Sequence, residues 1–230
     1  SEVETPDESL NLLTNKWLRY QAISGRLWAR TAYYQQSGAY GYRDQLQDSQ
    51  IFLDIDPQLT ASQICLHAEH QFKDGHVLHW WHPITEAGLD SNFSDDFLWL
   101  PFVTLSYLEE TDDPDFLKHS VRFYDDPGGA SVLEHCTRAI DFALKRMSDR
   151  GIPLIGCGDW NDGLSAAGID LKGESVWIIH FLNYILVRFE DWLKKLGDEQ
   201  KAEQYRSEAA RLRGKLLEFG WDGDWFIQGT

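Results

Sequence analysis

The run Gly156-Cys157-Gly158-Asp159-Trp160-Asn161-Asp162-Gly163 sets two carboxylates, an indole and a carboxamide at one glycine-flanked bend of backbone. Glycine permits dihedrals that let the adjoining polar residues turn their side chains inward. An indole can cover the apolar face of a pyranose ring, and a carboxylic acid beside it can protonate a glycosidic oxygen once partial burial raises its pKa. That pairing suits glycosyl transfer. The plainer alternative is an Asx-type turn whose carboxylates only cap a following helix.

A second polar cluster lies in Gly38-Ala39-Tyr40-Gly41-Tyr42-Arg43-Asp44-Gln45-Leu46-Gln47-Asp48, where a helix should begin. Asp44 and Asp48 are one helical turn apart and share a face, with Gln47 alongside, so hydroxyl donors and acceptors could converge on one cavity. The planar fork of Arg43 suits phosphate or carboxylate, and helix N-terminal amides behind it would add to the attraction. The competing reading is an exposed capping cluster with a local Arg–Asp pair. The third segment joins His79-Trp80-Trp81-His82-Pro83 to Ser94-Asp95-Asp96-Phe97-Leu98-Trp99-Leu100-Pro101. The pairs His67/His70 and His79/His82 read as hydrogen-bonded histidines lining a cavity rather than as metal ligands, because neither has a third ligand in register. No metal is expected. Ser94 with Asp95 and Asp96 reads as the N-cap and first turn of an apolar helix.

Taken in order, these motifs resemble glycoside hydrolase family 94, the cellobiose, chitobiose, cellobionic acid and related β-glucoside phosphorylases. The resemblance also draws on Asn15-Lys16-Trp17-Leu18-Arg19-Tyr20-Gln21, Tyr33-Tyr34-Gln35, Glu134-His135-Cys136 and Gly173-Glu174-Ser175-Val176-Trp177. It implies inverting phosphorolysis of a β-linked, cellobiose-like disaccharide to an α-sugar 1-phosphate and a released sugar. Asp162 then matches the general acid, Trp160 lies beside the attacked sugar, and Arg43 faces phosphate. Asp44 should hold sugar hydroxyls, with Asp159, Gln47, Asp48 and Trp81 also expected at the sugar. The co-substrate is inorganic phosphate and no further cofactor is implied; the oligomeric state is left open, with a homodimer among the alternatives.

The same resemblance makes residues 1–230 a single domain, about the first half of an (α/α)6 barrel of paired helices. Family members carry a β-sandwich before this region and more barrel after it, including a histidine and a Thr-Gly pair that complete the phosphate site. The connection from Leu117 to Val132 is shorter than its counterpart in the family. Phosphate is already an anionic nucleophile and needs no general base, whereas a water-using inverter needs a second carboxylate about 6.5–9.5 Å from the acid. Asp44, Asp48, Asp95 and Asp96 are the candidates for that base. A glycan-binding module without turnover and the phosphorylase-like domain of a cyclic glucan synthase are the other variants.

A chain of 230 residues, 43% hydrophobic, can bury a large core and falls within the size of one domain. Lys+Arg 21 against Asp+Glu 37 gives a net charge of −16, which argues against nucleic acid and anionic membrane surfaces as partners. Such a charge also repels phosphate at long range, so a phosphate site must rely on local donors. The acidic runs Asp112-Asp113, Asp125-Asp126 and Ser1 to Glu8 read as solvated loops and an exposed leader. Cys65, Cys136 and Cys157 make an odd count without CxxC spacing, so the expected location is a reducing compartment, the cytoplasm. No secretory signal is seen, and the most apolar stretch, Val176 to Val187, is interrupted by His180 and Asn183.

The elements that must position these residues are helices at roughly 8–36, 44–53, 57–72, 94–110, 131–149, 174–196 and 199–219, so the chain is mainly α. Ala202, Tyr205, Ala209, Leu212, Leu216 and Leu217 form the apolar side of the final helix. Val77–Leu78 and Phe226–Ile227 are the expected short strands.

Overall fold

The computed structural model describes residues 2–27, 38–164, 166–167 and 169–230. The C-terminal part of the expected 8–36 helix, with the Tyr33-Tyr34-Gln35 motif, lies outside the described residues. Its first part is helical throughout, with α1 (Glu8–Leu12) and α2 (Leu18–Ala22) alternating with π-turns at Leu13–Trp17 and Ile23–Leu27. Asp7 starts it by accepting from the amides of Ser9 and Leu10. Leu10, Leu13, Trp17, Leu18 and Tyr20 of this stretch are exposed.

The remaining helices are α3 (Tyr42–Ser49), α4 (Pro57–Ala68), α5 (Trp99–Thr111), α6 (Val132–Lys145), α7 (Val176–Lys195) and α8 (Glu199–Lys215). They pack as successive neighbours, α3 on α4, α5 on α6 and α7 on α8, with α5 also touching α3 and α7. This is the paired arrangement expected of part of an (α/α)6 barrel. Side-chain caps mark the starts: Asp56 accepts from Gln58 N, Ser131 from Glu134 N, Ser175 from Ile178 N and Asp198 from Lys201 N. In α5 apolar residues run all round the helix, as a helix enclosed by neighbours requires. Its Pro101 lies in the first turn, where a missing N–H leaves no ladder bond broken.

Ends differ from expectation where backbone geometry changes. The helix expected from residue 94 begins with a 3-10 turn at Asp96–Leu98, and α8 runs into a π-turn at Leu216–Gly220. That turn rotates the register, so Leu217 is exposed although Ala202, Tyr205, Ala209 and Leu212 face the core as expected.

A three-stranded antiparallel sheet joins β1 (Tyr40–Gly41), β2 (Leu78–Trp81) and β3 (Gly88–Asp90), and β4 (Ser120–Arg122) pairs with β5 (Gly129–Ser131). The β2–β3 register shifts between Leu78 and Trp80. Both Leu78 and Trp81 then face the core, and His79 is re-aimed between them, a usual consequence of a β-bulge.

The 152–175 segment carries little regular structure and is held by backbone bridges. Cys157 N donates to Asn92 O at 2.9 Å, Ser94 N to Gly158 O at 3.0 Å, and Ile155 N to Gly173 O at 2.8 Å. Gly156 allows this clamp: its φ is +63°, and a Cβ there would stand 2.0 Å from Asn92 O. Gly156→Ala should therefore destabilise the protein by at least ~1–2 kcal/mol from the left-handed backbone alone. Urea unfolding would show this as a lower midpoint, and an unchanged midpoint would contradict the clamp.

Candidate active site around Arg43

Arg43 and Tyr42 open α3, whose buried face is Tyr42, Arg43, Gln45, Leu46 and Ser49. Gln45 fixes the start by donating from Nε2 to Leu27 O at 2.8 Å. Asp44, Gln47 and Asp48 are half-buried on the other side. The pairing of Arg43 is long-range rather than local. Its Nη1 donates to Asp95 Oδ1 and Oδ2 at 3.3 and 3.2 Å and to Asp159 O at 3.0 Å. Its Nη2 donates to Asp162 Oδ1, and Asp96 Oδ1 lies 3.9 Å from Nε. The guanidinium also stands 5.2 Å from the Phe93 ring centroid. Thus α3, the 91–99 segment and the 156–163 loop meet on one cation.

Asp95 and Asp96 are 0% exposed. Ser94 with Asp95 and Asp96 is expected to form an N-cap and first turn, but Ser94 Oγ donates to Gly158 O at 3.2 Å and Asp95, at the cap position, makes no capping bond and instead accepts from Arg43 and, at 3.1 Å, from Trp99 Nε1. A buried arginine cannot shed its proton, so it draws the nearest carboxylates to itself. Burial, with the Asp96 charge next to it, pushes the Asp95 pKa up to about 7 against the opposing pull of Arg43 and Trp99. Asp96 accepts from Ser91 Oγ and pairs with His79 Nδ1 at 2.7 Å. Burial alone would lower the His79 pKa, but the bond and charge of Asp96 outweigh it and the net shift is upward. Being buried and engaged, Asp95 and Asp96 cannot serve as bases for water at an open site, which leaves Asp44 and Asp48 of the four candidates.

The acid-bearing loop divides into a structural and an open half. Asp159 is wholly buried: Oδ1 accepts from Asn161 N at 2.8 Å and Oδ2 from Ser175 Oγ at 2.6 Å. It makes the Asx-type turn and braces the N-cap of α7, so the expected sugar contact of Asp159 is corrected to a loop-shaping role. Trp160 is 51% exposed, its Nε1 donates to Gln47 Oε1 at 3.3 Å, and its ring lies 6.4 Å and 21° from that of Trp177. The Asp162 side chain is 69% exposed on a 3-10 turn at Asp162–Leu164.

Trp81 is also corrected. It is 0% exposed, stacked on His70 at 3.9 Å and edge-on to Tyr40, Tyr42 and His67, so it has no face left for a sugar. The bulge in β2 turned it inward. The convergence of Asp95, Asp96, His79 and Ser91 behind Arg43 was missed, because acids after a serine at a helix start are read first as caps. Trp177 behind Trp160 had a signal in the Gly173–Trp177 run, and Phe93 had none. Among the described residues no group of three or more His, Cys, Asp or Glu gathers to hold a metal ion.

The sequence matches the description "Glycosyl hydrolase 94 superfamily, catalytic domain" over residues 1–230. It is 39% identical over 245 residues to the cyclic beta-(1,2)-glucan synthase NdvB of Rhizobium meliloti, covering 99% of this chain and 9% of that protein. It is 32% identical over 227 residues to a solabiose phosphorylase of Paenibacillus borealis, covering 98% of this chain and 28% of that protein. Identity is also 32% over 260 residues to an N,N'-diacetylchitobiose phosphorylase of Vibrio proteolyticus, covering 99% of this chain and 32% of that protein. The chain thus spans a third or less of the length of these relatives.

The raised pKa of Asp95 has a signed consequence. Between the unfolded value of about 4 and the folded value of about 7, the native state binds more protons at this site than the unfolded state, so stability falls as pH rises through that window. Asp95→Asn removes this contribution while losing the ion pair. Wild type should therefore lose ground relative to Asp95→Asn in urea unfolding as pH rises from about 4.5 to about 7. A pH-independent difference would show that Asp95 is ionised throughout.

Proposed function

The chain belongs to the glycosyl hydrolase 94 superfamily, catalytic domain, and from that premise we propose that it carries part of the active site of an inverting disaccharide phosphorylase. The observation that carries this reading is the meeting of Arg43 with Asp162 beside the half-exposed Trp160 and Gln47. One anion-binding fork, one accessible acid and one aromatic wall with its hydrogen-bonding partner are the parts that phosphorolysis needs.

In this reading a β-linked disaccharide lies with its non-reducing sugar on the Trp160 ring and its hydroxyls on Asp44, Gln47 and Asp48. A phosphate oxygen, oriented by Arg43, forms a bond to the anomeric carbon from the face opposite the glycosidic oxygen. The bond to that oxygen breaks as Asp162 gives it a proton, and the products are an α-sugar 1-phosphate and a free sugar. No base is required, because the nucleophile arrives as an anion. Catalytic carboxylic acids at neutral pH depend on desolvation, and bound sugar would provide it by covering the exposed loop. Arg43 and inorganic phosphate would then meet in a net-acidic protein through contact rather than long-range attraction.

A second reading concerns the linkage. The 39% identity to a cyclic beta-(1,2)-glucan synthase favours a site that accepts β-(1,2)-linked glucose units, on a domain of a larger synthase. Both readings place the same residues at the sugar.

Phosphorus NMR of the full-length protein with inorganic phosphate and β-linked disaccharides, β-(1,2), β-(1,3) and β-(1,4), tests nucleophile, stereochemistry and linkage together. The expected result is an α-configured sugar 1-phosphate from one of them; free sugars without sugar phosphate would mean that water attacks. Asp162→Asn should lower the phosphorolysis rate by at least about a thousandfold, with sugar affinity within about threefold of wild type, because only proton donation is lost. Unchanged turnover would remove Asp162 from that role.

A further inference from the structure

Arg43 is surrounded by three carboxylates, and they are not equivalent. Asp95 and Asp96 are wholly buried, with further bonds to Trp99, His79 and Ser91, whereas the Asp162 side chain is 69% exposed. Nη1 is fully engaged by Asp95 and by the Asp159 carbonyl. Nη2 has as its partner Asp162, the exposed carboxylate of the three. Nη2 is then the nitrogen an incoming oxyanion would approach, and Asp162, the one exposed carboxylate of the three, is the one able to leave. Adding a further anion to one cation beside three carboxylates is opposed by like-charge repulsion unless one of them withdraws.

We propose that Arg43 positions Asp162 in the unliganded protein and that phosphate, arriving as the monoanion H2PO4−, exchanges with the Asp162 carboxylate at Nη2; the freed carboxylate takes the proton that the phosphate gives up and so becomes the acid for the glycosidic oxygen. This rests on the phosphorolysis reading and adds to it an order of events at one nitrogen atom. Asp95 and the Asp159 carbonyl keep the guanidinium in place during the exchange. The exchange has a thermodynamic signature. Phosphate affinity is reduced by the fraction of protein in which Nη2 is occupied by Asp162, so removing the Asp162 charge must tighten phosphate binding even as it abolishes catalysis.

The test is equilibrium binding of inorganic phosphate, without sugar, to full-length wild type, Asp162→Asn and Asp162→Ala, by calorimetry. The exposed position of Asp162 makes both variants compatible with folding, which a thermal melt checks. The expected result is phosphate binding about three- to tenfold tighter in both variants, the range for release of a partly exposed ion pair. The tightening should persist in about 0.3 M potassium chloride, since a contact at a buried guanidinium is screened much less than repulsion across solvent. Equal or weaker binding in the variants, or a tightening that vanishes with salt, overturns the exchange and leaves phosphorolysis standing. No phosphate binding by any of the three proteins overturns both.

Discussion

A guanidinium buried where a helix start meets two irregular segments constrains everything near it. It cannot be neutralised by losing a proton, and leaving it unpaired in a low-dielectric interior would cost several kcal/mol. Arg43 therefore needs acids brought from elsewhere in the chain, and Asp95, Asp96 and Asp162 come from two separate segments to meet it. The loop that carries Asp162 is fixed in turn by the glycines that let it approach Asn92 and Phe93, and by the Asx turn at Asp159. The ion cluster and the loop geometry depend on each other.

The same cluster gives the site its polarity of roles. Buried acids hold the arginine from behind, and the half-exposed residues Asp44, Gln47, Asp48, Trp160 and Asp162 face outward. Trp160 is set by two contacts of different kinds, the Gln47 carboxamide oxygen on its N–H and the Trp177 ring nearby. A platform fixed in this way loses little conformational freedom when a ring settles on it, which favours sugar recognition by an indole.

Much of this was legible in the sequence, and the misses have physical reasons. The helices were readable from periodicity and caps, since Ser131, Ser175 and Asp198 each act as their residue types suggest. The meeting of Arg43, Trp160, Gln47 and Asp162 was legible only as separate motifs, because side-chain chemistry is visible along the chain and distance is not. Trp81 and Asp159 were assigned to the sugar from their neighbours. The β-bulge turned Trp81 inward, and an Asx turn consumed Asp159. Asp95 illustrates the general difficulty: after a serine at a helix start it has a sufficient local role, and only the tertiary fold reveals that a buried arginine claims it. The strands β1, β3, β4 and β5 are not legible because two- or three-residue pairings leave no alternating pattern, and the strand expected at Phe226–Ile227 is reduced to an isolated bridge between Trp221 and Phe226.

In the proposed exchange Arg43 stays anchored from behind and changes partners in front. A crystal structure of the full-length protein with inorganic phosphate bound tests it most directly. Arg43 Nη1 should keep Asp95 and the Asp159 carbonyl, while a phosphate oxygen replaces Asp162 on Nη2 and the Asp162 carboxyl group turns toward the Trp160 side. Phosphate bound away from Arg43, or Asp162 still seated on Nη2 with phosphate present, would contradict it.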